Sequence, residues 1–458
     1  MENIKLKDLK NKKFHFIGIG GISMSGLAMM LKRNGFFVQG SDLMFSEETK
    51  KLEKNSVKVF YEHNKNNLKD IDIVVYSSAI LDDNEELKFA KNNKLILLKR
   101  AELLGLVSEL YKIVIAVSGS HGKTTATAMI SEIFMKADLK PTIHLGGVLN
   151  SISSNYKLGN KKYFITEACE YKDNYLYLKP DIAVVLNIDL DHLDYFKNID
   201  NLKKSFLNFS KQVKVGGIVA VSADDENSKE LFNQKNVAKF GGDKRADVFA
   251  TNIKEYKPCY YSFDVIFSRF KLGNIKLNII GRHNIKNAVA AILVSLACGI
   301  DFCDIKYAIE NFSGVKRRCE KICEHNGFVV YHDYAHHPEQ IKKMVEVGRD
   351  LTKKKKGKVI VVFEPHTYSR TKHLIDEFSI CFENCDRVII APVYSARENP
   401  IQGYDSIKLF NEIKEKGILV EYIETYKEIK TRIMNIAKPN DVILILGAGS
   451  IEKLAKMF

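Results

Sequence analysis

Three times along the chain a short apolar run ends at a glycine or polar turn and a helical pattern follows. The runs are FHFIGIGG at 14–21, IVIAV at 113–117 and VVYHDYAHH at 329–337. A strand that is apolar on both faces must be covered on both faces, which is the situation of a parallel strand returned through a helix. Further runs of this type, FFVQGSD, IDIVVY, YFIT, IAVVLNI, VIVVFEP, RVIIAPV and VILILGAGS, extend each of the three units. After the first run, Ile22, Leu27, Met30 and Leu31 recur at helical intervals until Gly35. The expected fold class is therefore α/β with three units. Their boundaries are placed at 1–107, 108–313 and 314–458. In such sheets ligands gather beyond the carboxyl ends of the strands, so the residues just after each run are the candidates for chemistry.

Composition narrows the function classes. The chain has 458 residues, 45% of them hydrophobic and 28% charged, an ordinary globular balance. No apolar run approaches the roughly 18 residues of a membrane span, and the opening MENIKLKDLKNKKF lacks the apolar core of a secretory signal. A cytoplasmic protein without membrane insertion is expected. The net charge of +14 raises the question of nucleic acid, but the lysines are dispersed. Their one dense run, Lys353–Lys356, carries no interleaved aromatic and reads as a solvated loop. An anionic small substrate suits the charge equally well. Eight cysteines occur without a CxxC pair, in keeping with free thiols in a reducing compartment. Cys319/Cys323 and Cys381/Cys385 are four apart, which on helices would put each pair on one face.

The most informative stretch is VSGSHGKTTAT at 117–127. A strand delivering the chain to Gly119 and a helix starting near Lys123 would converge backbone N–H groups on the positive end of a helix dipole, an anion site. Lys123 would reach terminal phosphates and the Thr124 hydroxyl would ligate Mg²⁺. The spacing is unusual. Gly119 lies four residues before Lys123, whereas the common phosphate loop places its first glycine about six before.

GIGGISMSG at 18–26 offers Gly18, Gly20 and Gly21 after a strand, but Ser23 occupies the place of the third glycine of a dinucleotide fingerprint. Asp42, after the next strand, is suited to a ribose hydroxyl. A nucleotide diphosphate, NAD and a turn that binds nothing all remain open on this stretch. TEACEY at 166–171 and NIDLDHLDYF at 187–196 bring Glu170, His192 and three rival aspartates to neighbouring strand ends, where a cation site or a structural role would use them. His283, Asn284 and Asn287 precede an alanine-rich helix, where an amide or imidazole could cap the helix or read a base edge, capping being the more ordinary role. HDYAHHPEQ at 332–340 gathers three histidines around Asp333 before Pro338 opens a helix.

In order along the chain, GIGGISMSGLA, SSAI, SGSHGKTT, EACEY, NIDLDHLDYF, GRHNIKNAVAA, GVKRRCE, DYAHHPEQ, EPHTYSRT and LGAGSI resemble the Mur ligase family over essentially the whole length. The resemblance implies ATP-dependent amide formation in peptidoglycan precursor synthesis, with Mg²⁺. The partners it implies are UDP-N-acetylmuramate and L-alanine, with the protein a monomer or homodimer and no nucleic acid bound. It implies a Rossmann-like N-terminal domain for the UDP-sugar, a central P-loop ATPase-type parallel sheet domain, and a Rossmann-like C-terminal domain that closes on ATP and the amino acid.

The family's shorter loop, GxxGK[ST], accounts for the spacing of Gly119, Gly122, Lys123 and Thr124. By resemblance, Gly119, Ser120, His121, Gly122, Lys123, Thr124 and Thr125 hold ATP, with His283, Asn284 and Asn287 near the adenine or the reaction centre. Arg317 and Asp333 are nucleotide contacts from the third domain. Thr124, Glu170 and His192 are implied metal ligands; Lys123, Glu170, His192 and His336 are implied catalytic residues. Gly18, Gly20, Gly21, Ser23, Ser25, Asp42, Ser77 and Ser78 surround the UDP-sugar. His336, His366 and Arg370 lie on the amino-acid side. The chain departs from the common pattern at Cys169 and Tyr171, which flank Glu170 where many members carry Asp and Ser, and at His332, where an acidic residue is frequent. Outside ligation of a single amino acid, three readings compete: a ligase joining a preformed tripeptide to the same sugar nucleotide, a dinucleotide-dependent oxidoreductase suggested by GIGGIS and LGAGSI, and a nucleotide-binding protein without catalysis.

Overall fold

The computed structural model describes residues 5–190, 193–242, 244–396 and 398–458. Among these, three sheets form. The first joins β1 (Lys13–Ile17), β2 (Phe37–Ser41), β3 (Lys58–Phe60), β4 (Ile73–Tyr76) and β5 (Ile96–Lys99) in the order β3-β2-β1-β4-β5, every pair parallel. This is a doubly wound arrangement whose strand order reverses beside β1. The turn after β1 and the SSAI segment after β4 therefore face the same crevice.

The second sheet contains β6 (Ile113–Ser118), β7 (Thr142–Leu149), β8 (Ser154–Lys157), β9 (Tyr163–Glu167), β10 (Ile182–Val185), β11 (Ile218–Ser222), β12 (Val237–Gly241), β13 (Val248–Lys257), β14 (Tyr260–Phe267) and β15 (Phe270–Lys276). Its order is β15-β14-β13-β12-β11-β10-β6-β9-β7-β8. Strand β6 runs parallel between β10 and β9, with Ile115 opposite both Ile182 and Ile165. The central run is parallel, as its continuous apolar strands require. The pairs β7–β8 and β14–β15 are antiparallel, so the sheet is mixed at its margins.

The third sheet has β16 (Glu320–His325), β17 (Phe328–Asp333), β18 (Val359–Phe363), β19 (Arg387–Ile390), β20 (Val420–Tyr422) and β21 (Val442–Leu446) in the order β16-β17-β21-β18-β19-β20. Its alternation is easily read. Val359, Val361, Phe363, Leu444 and Leu446 fill a core on one face, while Ile360, Val362, Ile443 and Ile445 fill another on the opposite face. A period of two on strands covered on both sides yields this division. Cys323 lies on β16 and Cys319 just before it, so that pair is not on a helix. By chain contacts the molecule divides into two units. The first comprises residues 1–253, 262–278 and 283–313, and the second 254–261, 279–282 and 314–458.

No described helix is long and apolar enough to cross a membrane. The helices Ile22–Arg33 and Lys123–Lys136 begin shortly after strand ends with glycine at the cap position. Gly21 precedes Ile22–Arg33 and Gly122 precedes Lys123–Lys136, and neither glycine can supply the oxygen that a serine or aspartate would. First-turn N–H groups have no partner inside a helix, so both starts present donors beyond a strand end.

Candidate active site

Strand β6 ends at Ser118 and the chain turns through Gly119–Gly122 into the Lys123–Lys136 helix. The turn is pinned from β10's side. Ser120 Oγ donates to the Asp189 carbonyl at 2.7 Å and accepts from its N–H at 3.0 Å. Asn187 accepts from the His121 N–H at 2.9 Å and donates to the His121 carbonyl at 3.0 Å. Gly122 is left-handed, with φ +85°, and a Cβ there would lie 2.5 Å from Asn287 Oδ1. Asn287, itself buried, donates to Asn284 Oδ1 at 2.9 Å, so Asn287 stands against the turn from the His283–Ala297 helix and Asn284 fixes its amide. His283 is exposed at that helix's start, and Thr125 is half-buried one residue beyond Thr124.

Lys123 Nζ reaches Glu170 Oε1 at 2.8 Å and folds over the carbonyls of Gly119 and Ser120. Burial opposes its charge, but Glu170, with help from Glu167, holds the ammonium above its usual range. Beside it, Thr124 Oγ1 donates to Glu167 Oε2 at 3.0 Å, and Glu167 Oε1 accepts from the Gly146 N–H at 2.6 Å. Glu167 pairs across the sheet with Val117 of β6, which is why it meets Thr124. The cluster thus offers a cation, a hydroxyl, two carboxylates and a helix start at one strand end.

The turn that presents Glu170 is conformationally costly. Lys172 and Asp173 are consecutive left-handed residues at φ 54° and 56°. Non-glycine residues persist there only when their surroundings hold them. Asp173 is held by the Tyr195 hydroxyl at 2.6 Å and by Ser205 Oγ. That hydrogen bond to Asp173 raises the Tyr195 phenol to about 12. His192 lies outside the described residues.

After β1 the backbone turns at Gly18, and the N–H groups of Gly18 and Ile19 donate to the Ser41 carbonyl at 2.8 and 2.9 Å. Gly20 N–H donates to Asp42 Oδ2 at 2.9 Å, and the Met44 N–H to Oδ1 at 3.0 Å. Asp42 therefore shapes the turn with both oxygens. A Cβ on Gly20 would meet Thr49 Cγ2 at 2.8 Å and Asp42 Oδ2 at 3.0 Å. Ser23 Oγ lies 3.0 Å from His144 Nε2. Ser25 is buried and donates to the Ile22 carbonyl of its own helix. Ser77 accepts from the Ala79 N–H at 3.3 Å, and Ser78 is exposed next to it.

The second unit holds its own cluster. The Arg317 guanidinium donates to the carbonyls of Gly447 at 3.0 Å and Gly449 at 3.3 Å, approaches Glu452 at 3.4 Å and lies 4.8 Å over the Tyr334 ring. Asp333 accepts from the Cys319 and Ala335 N–H groups, each at 2.7 Å, while burial pushes its carboxyl up. His336 Nδ1 donates to the Tyr334 carbonyl at 2.9 Å, with the His366 ring 5.9 Å away. His366 Nδ1 accepts from Arg370 Nη1 at 2.9 Å. Burial, then the Arg370 charge, lowers His336 to about 3 and His366 to about 4. Both imidazoles are neutral at pH 7 and weakly basic.

Sequence reasoning did not single out Glu167, Asn187 or Glu364. Glu167 stood inside TEACEY, but only strand pairing tells which of its two carboxylates meets Thr124. Glu364, 1% exposed, accepts from the Ile451 N–H at 3.2 Å, from Ser450 Oγ at 3.0 Å and from the Tyr426 hydroxyl, tying β18 to the LGAGS turn. Its carboxyl is raised by burial.

His332 provides a pH test. It is 2% exposed, its Nε2 has no partner among the described residues, and burial followed by the Arg317 charge lowers it to about 4. The unfolded chain takes up this proton near pH 6.5 and the native unit refuses it until about pH 4. The stability tied to neutral His332 is thus complete above pH 6.5 and falls toward pH 4, by up to about 3 kcal/mol. Melting temperature between pH 7 and pH 4.5 should decline, and His332→Leu should decline less steeply; equal slopes would refute the assignment.

Comparison with known proteins identifies the family. Family models described as Mur ligase family catalytic domain, Mur ligase middle domain, and Mur ligase glutamate ligase domain match residues 13–112, 117–295 and 317–449. The chain is 43% identical to a UDP-N-acetylmuramate–L-alanine ligase of Caldicellulosiruptor bescii, covering 96% of this chain and 97% of the relative. It is also 43% identical to the enzyme of that name from Acetivibrio thermocellus, over 100% and 98%. Among solved structures, a UDP-N-acetylmuramate-alanine ligase from Thermotoga maritima superposes with a TM-score of 0.82 at 27% identity, covering 98% of both chains. A murein peptide ligase from Psychrobacter arcticus shares the fold, with a TM-score of 0.73 at 22% identity.

Proposed function

Because this chain belongs to the Mur ligase family, we propose that it joins L-alanine to the lactyl carboxylate of UDP-N-acetylmuramate, using ATP and releasing ADP and phosphate. The observation that carries this reading is the Lys123–Glu170 pair at the start of a helix, with Thr124 on Glu167 beside it. This set fits a nucleoside triphosphate, and its ligand chemistry suits a hard cation that takes oxygen donors. The Thr124 hydroxyl with Glu167 and Glu170 would hold Mg²⁺, with His192 as a further ligand, and the ion would supply charge neutralisation for the phosphates.

In the proposed reaction a carboxylate oxygen attacks the γ-phosphorus, the bond to ADP breaks, and an acyl phosphate forms. Lys123 moves its ammonium from the loop carbonyls to the transferring phosphoryl group and offsets the charge developing there. The helix-start N–H groups position the phosphates without reorganising. The amine of L-alanine then attacks the acyl carbon, the tetrahedral oxyanion collapses, and phosphate leaves as the amide forms. The attacking amine must lose a proton as the amide forms, and the departing phosphate is the acceptor that the reaction itself supplies. His336 is held near pKa 3, far from the operating pH that an effective base needs, so we assign it, with His366 and Arg370, to orienting the amino acid. Arg317 and Asp333 are assigned to the nucleotide, and the Gly18–Gly21 turn with Ser23, Asp42, Ser77 and Ser78 to the UDP-sugar. A cytoplasmic location, where such precursors are built, is part of this proposal.

The decisive assay is phosphate release from ATP that depends jointly on UDP-N-acetylmuramate and L-alanine. Release with L-alanine and none with a preformed tripeptide supports the reading. The reverse preference assigns the chain to tripeptide recycling, and ATP binding without any release would make it a non-catalytic nucleotide binder.

A further inference from the structure

Arg100 is a cation in an expensive place. It is the first residue of the Arg100–Ser108 helix, where the positive end of the dipole opposes a positive charge. Burial also weighs against its charge, and the opposing carboxylate of Glu167 acts on it only at longer range. Among the described residues it forms no ion pair; its Nη1 donates to Ser23 Oγ at 3.2 Å. Ser23 occupies the first turn of the uncapped Ile22–Arg33 helix, so the donors of that turn and the guanidinium converge.

On its other side Ser23 meets His144, which burial, then the Arg100 charge, holds neutral at about 4. His144 Nδ1 lies 3.2 Å from Thr166 Oγ1, and Thr166 donates to the Glu167 carbonyl at 3.1 Å. One polar chain thus runs from Arg100 to the residue whose carboxylate holds Thr124. A cation without a carboxylate partner, bonded to the helix start beyond the glycine turn and joined through that chain to Glu167 beside the phosphate loop, fits an anion that must reach from one to the other.

We propose that Arg100 receives the lactyl carboxylate of the sugar nucleotide and aims it toward the phosphate loop. The assignment rests on the sugar-nucleotide reading of the Gly18–Gly21 turn. A guanidinium fork matches a carboxylate in two parallel hydrogen bonds and fixes its orientation, the condition for in-line attack. The diphosphate of the same ligand is the other anion able to supply this chemistry.

Calorimetric titration separates them, using UDP-N-acetylmuramate and UDP-N-acetylglucosamine, which shares the diphosphate but lacks the lactyl group. Arg100→Met should weaken UDP-N-acetylmuramate by roughly tenfold or more and leave UDP-N-acetylglucosamine within about twofold. Arg100→Lys, which keeps the charge but not the fork, should show a smaller loss confined to the same ligand, and it carries the test if the methionine variant does not fold. Unchanged UDP-N-acetylmuramate affinity overturns the proposal, and so does an equal loss on both ligands, which would assign Arg100 to the diphosphate. Gly20→Ala crowds the turn itself and should weaken both ligands; if it binds both as the unaltered protein does, the turn reading has failed rather than the role of Arg100.

Discussion

Replacing Lys123 with methionine should lower phosphate release in the presence of both substrates by at least about 10³-fold, while UDP-N-acetylmuramate affinity stays within about twofold. The side chain is the one cation that the described residues place inside the loop, on Glu170 at 2.8 Å. It works where water is scarce and where its charge meets that developing on the phosphoryl group, so its loss falls on kcat. A second effect accompanies this. Glu170 is fully buried, and a buried carboxylate deprived of its cation costs about 3 kcal/mol or more. The melting temperature should therefore fall, and Glu170→Gln in the Lys123→Met background should restore part of it without restoring activity. Phosphate release at the unaltered rate in Lys123→Met would remove the basis of the proposed chemistry.

Gly122→Ala should weaken binding of a non-hydrolysable ATP analogue by roughly ten- to a hundredfold. Two independent costs add here. The left-handed backbone at φ +85° disfavours any side chain, by about 1–2 kcal/mol. The new methyl would also sit 2.5 Å from Asn287 Oδ1, so either the asparagine or the turn must shift. Combining Gly122→Ala with Asn287→Ala separates the costs: recovery of part of the affinity identifies the clash, and none identifies the backbone. Affinity within twofold of the unaltered protein in Gly122→Ala would show that this turn does not hold the phosphates.

Much of the architecture is legible in single segments. IVIAV followed by GSHGKTT locates a buried strand, a loop and a helix start, because each depends on neighbours within a few residues. The same holds for FHFIGIGG and for Pro338, which opens its helix at the first position. The third glycine missing from GIGGIS is also visible in the sequence, though its consequence is not. Ser23 matters through His144 and Arg100, which lie 121 and 77 residues away.

Residues distant in sequence account for what was not legible. TEACEY contains two carboxylates, and nothing local says that Glu167 faces Thr124 while Glu170 faces Lys123; the β6–β9 register decides it. His336 of DYAHHP and His366 of EPHTYSRT look available for proton transfer by type, yet burial and the Arg370 guanidinium leave both weakly basic. The antiparallel margins, β7–β8 and β14–β15, escaped a reading tuned to parallel runs, since exposed edges carry a weaker apolar pattern.

What the sequence by itself determined is the succession of strands, turns and helices and the presence of an anion-binding loop, since periodicity and turn chemistry act over one or two turns of chain. Which carboxylate, amide or guanidinium stands against that loop was decided only by tertiary structure. Strand order and register bring those groups together across long separations, and burial then sets their charge.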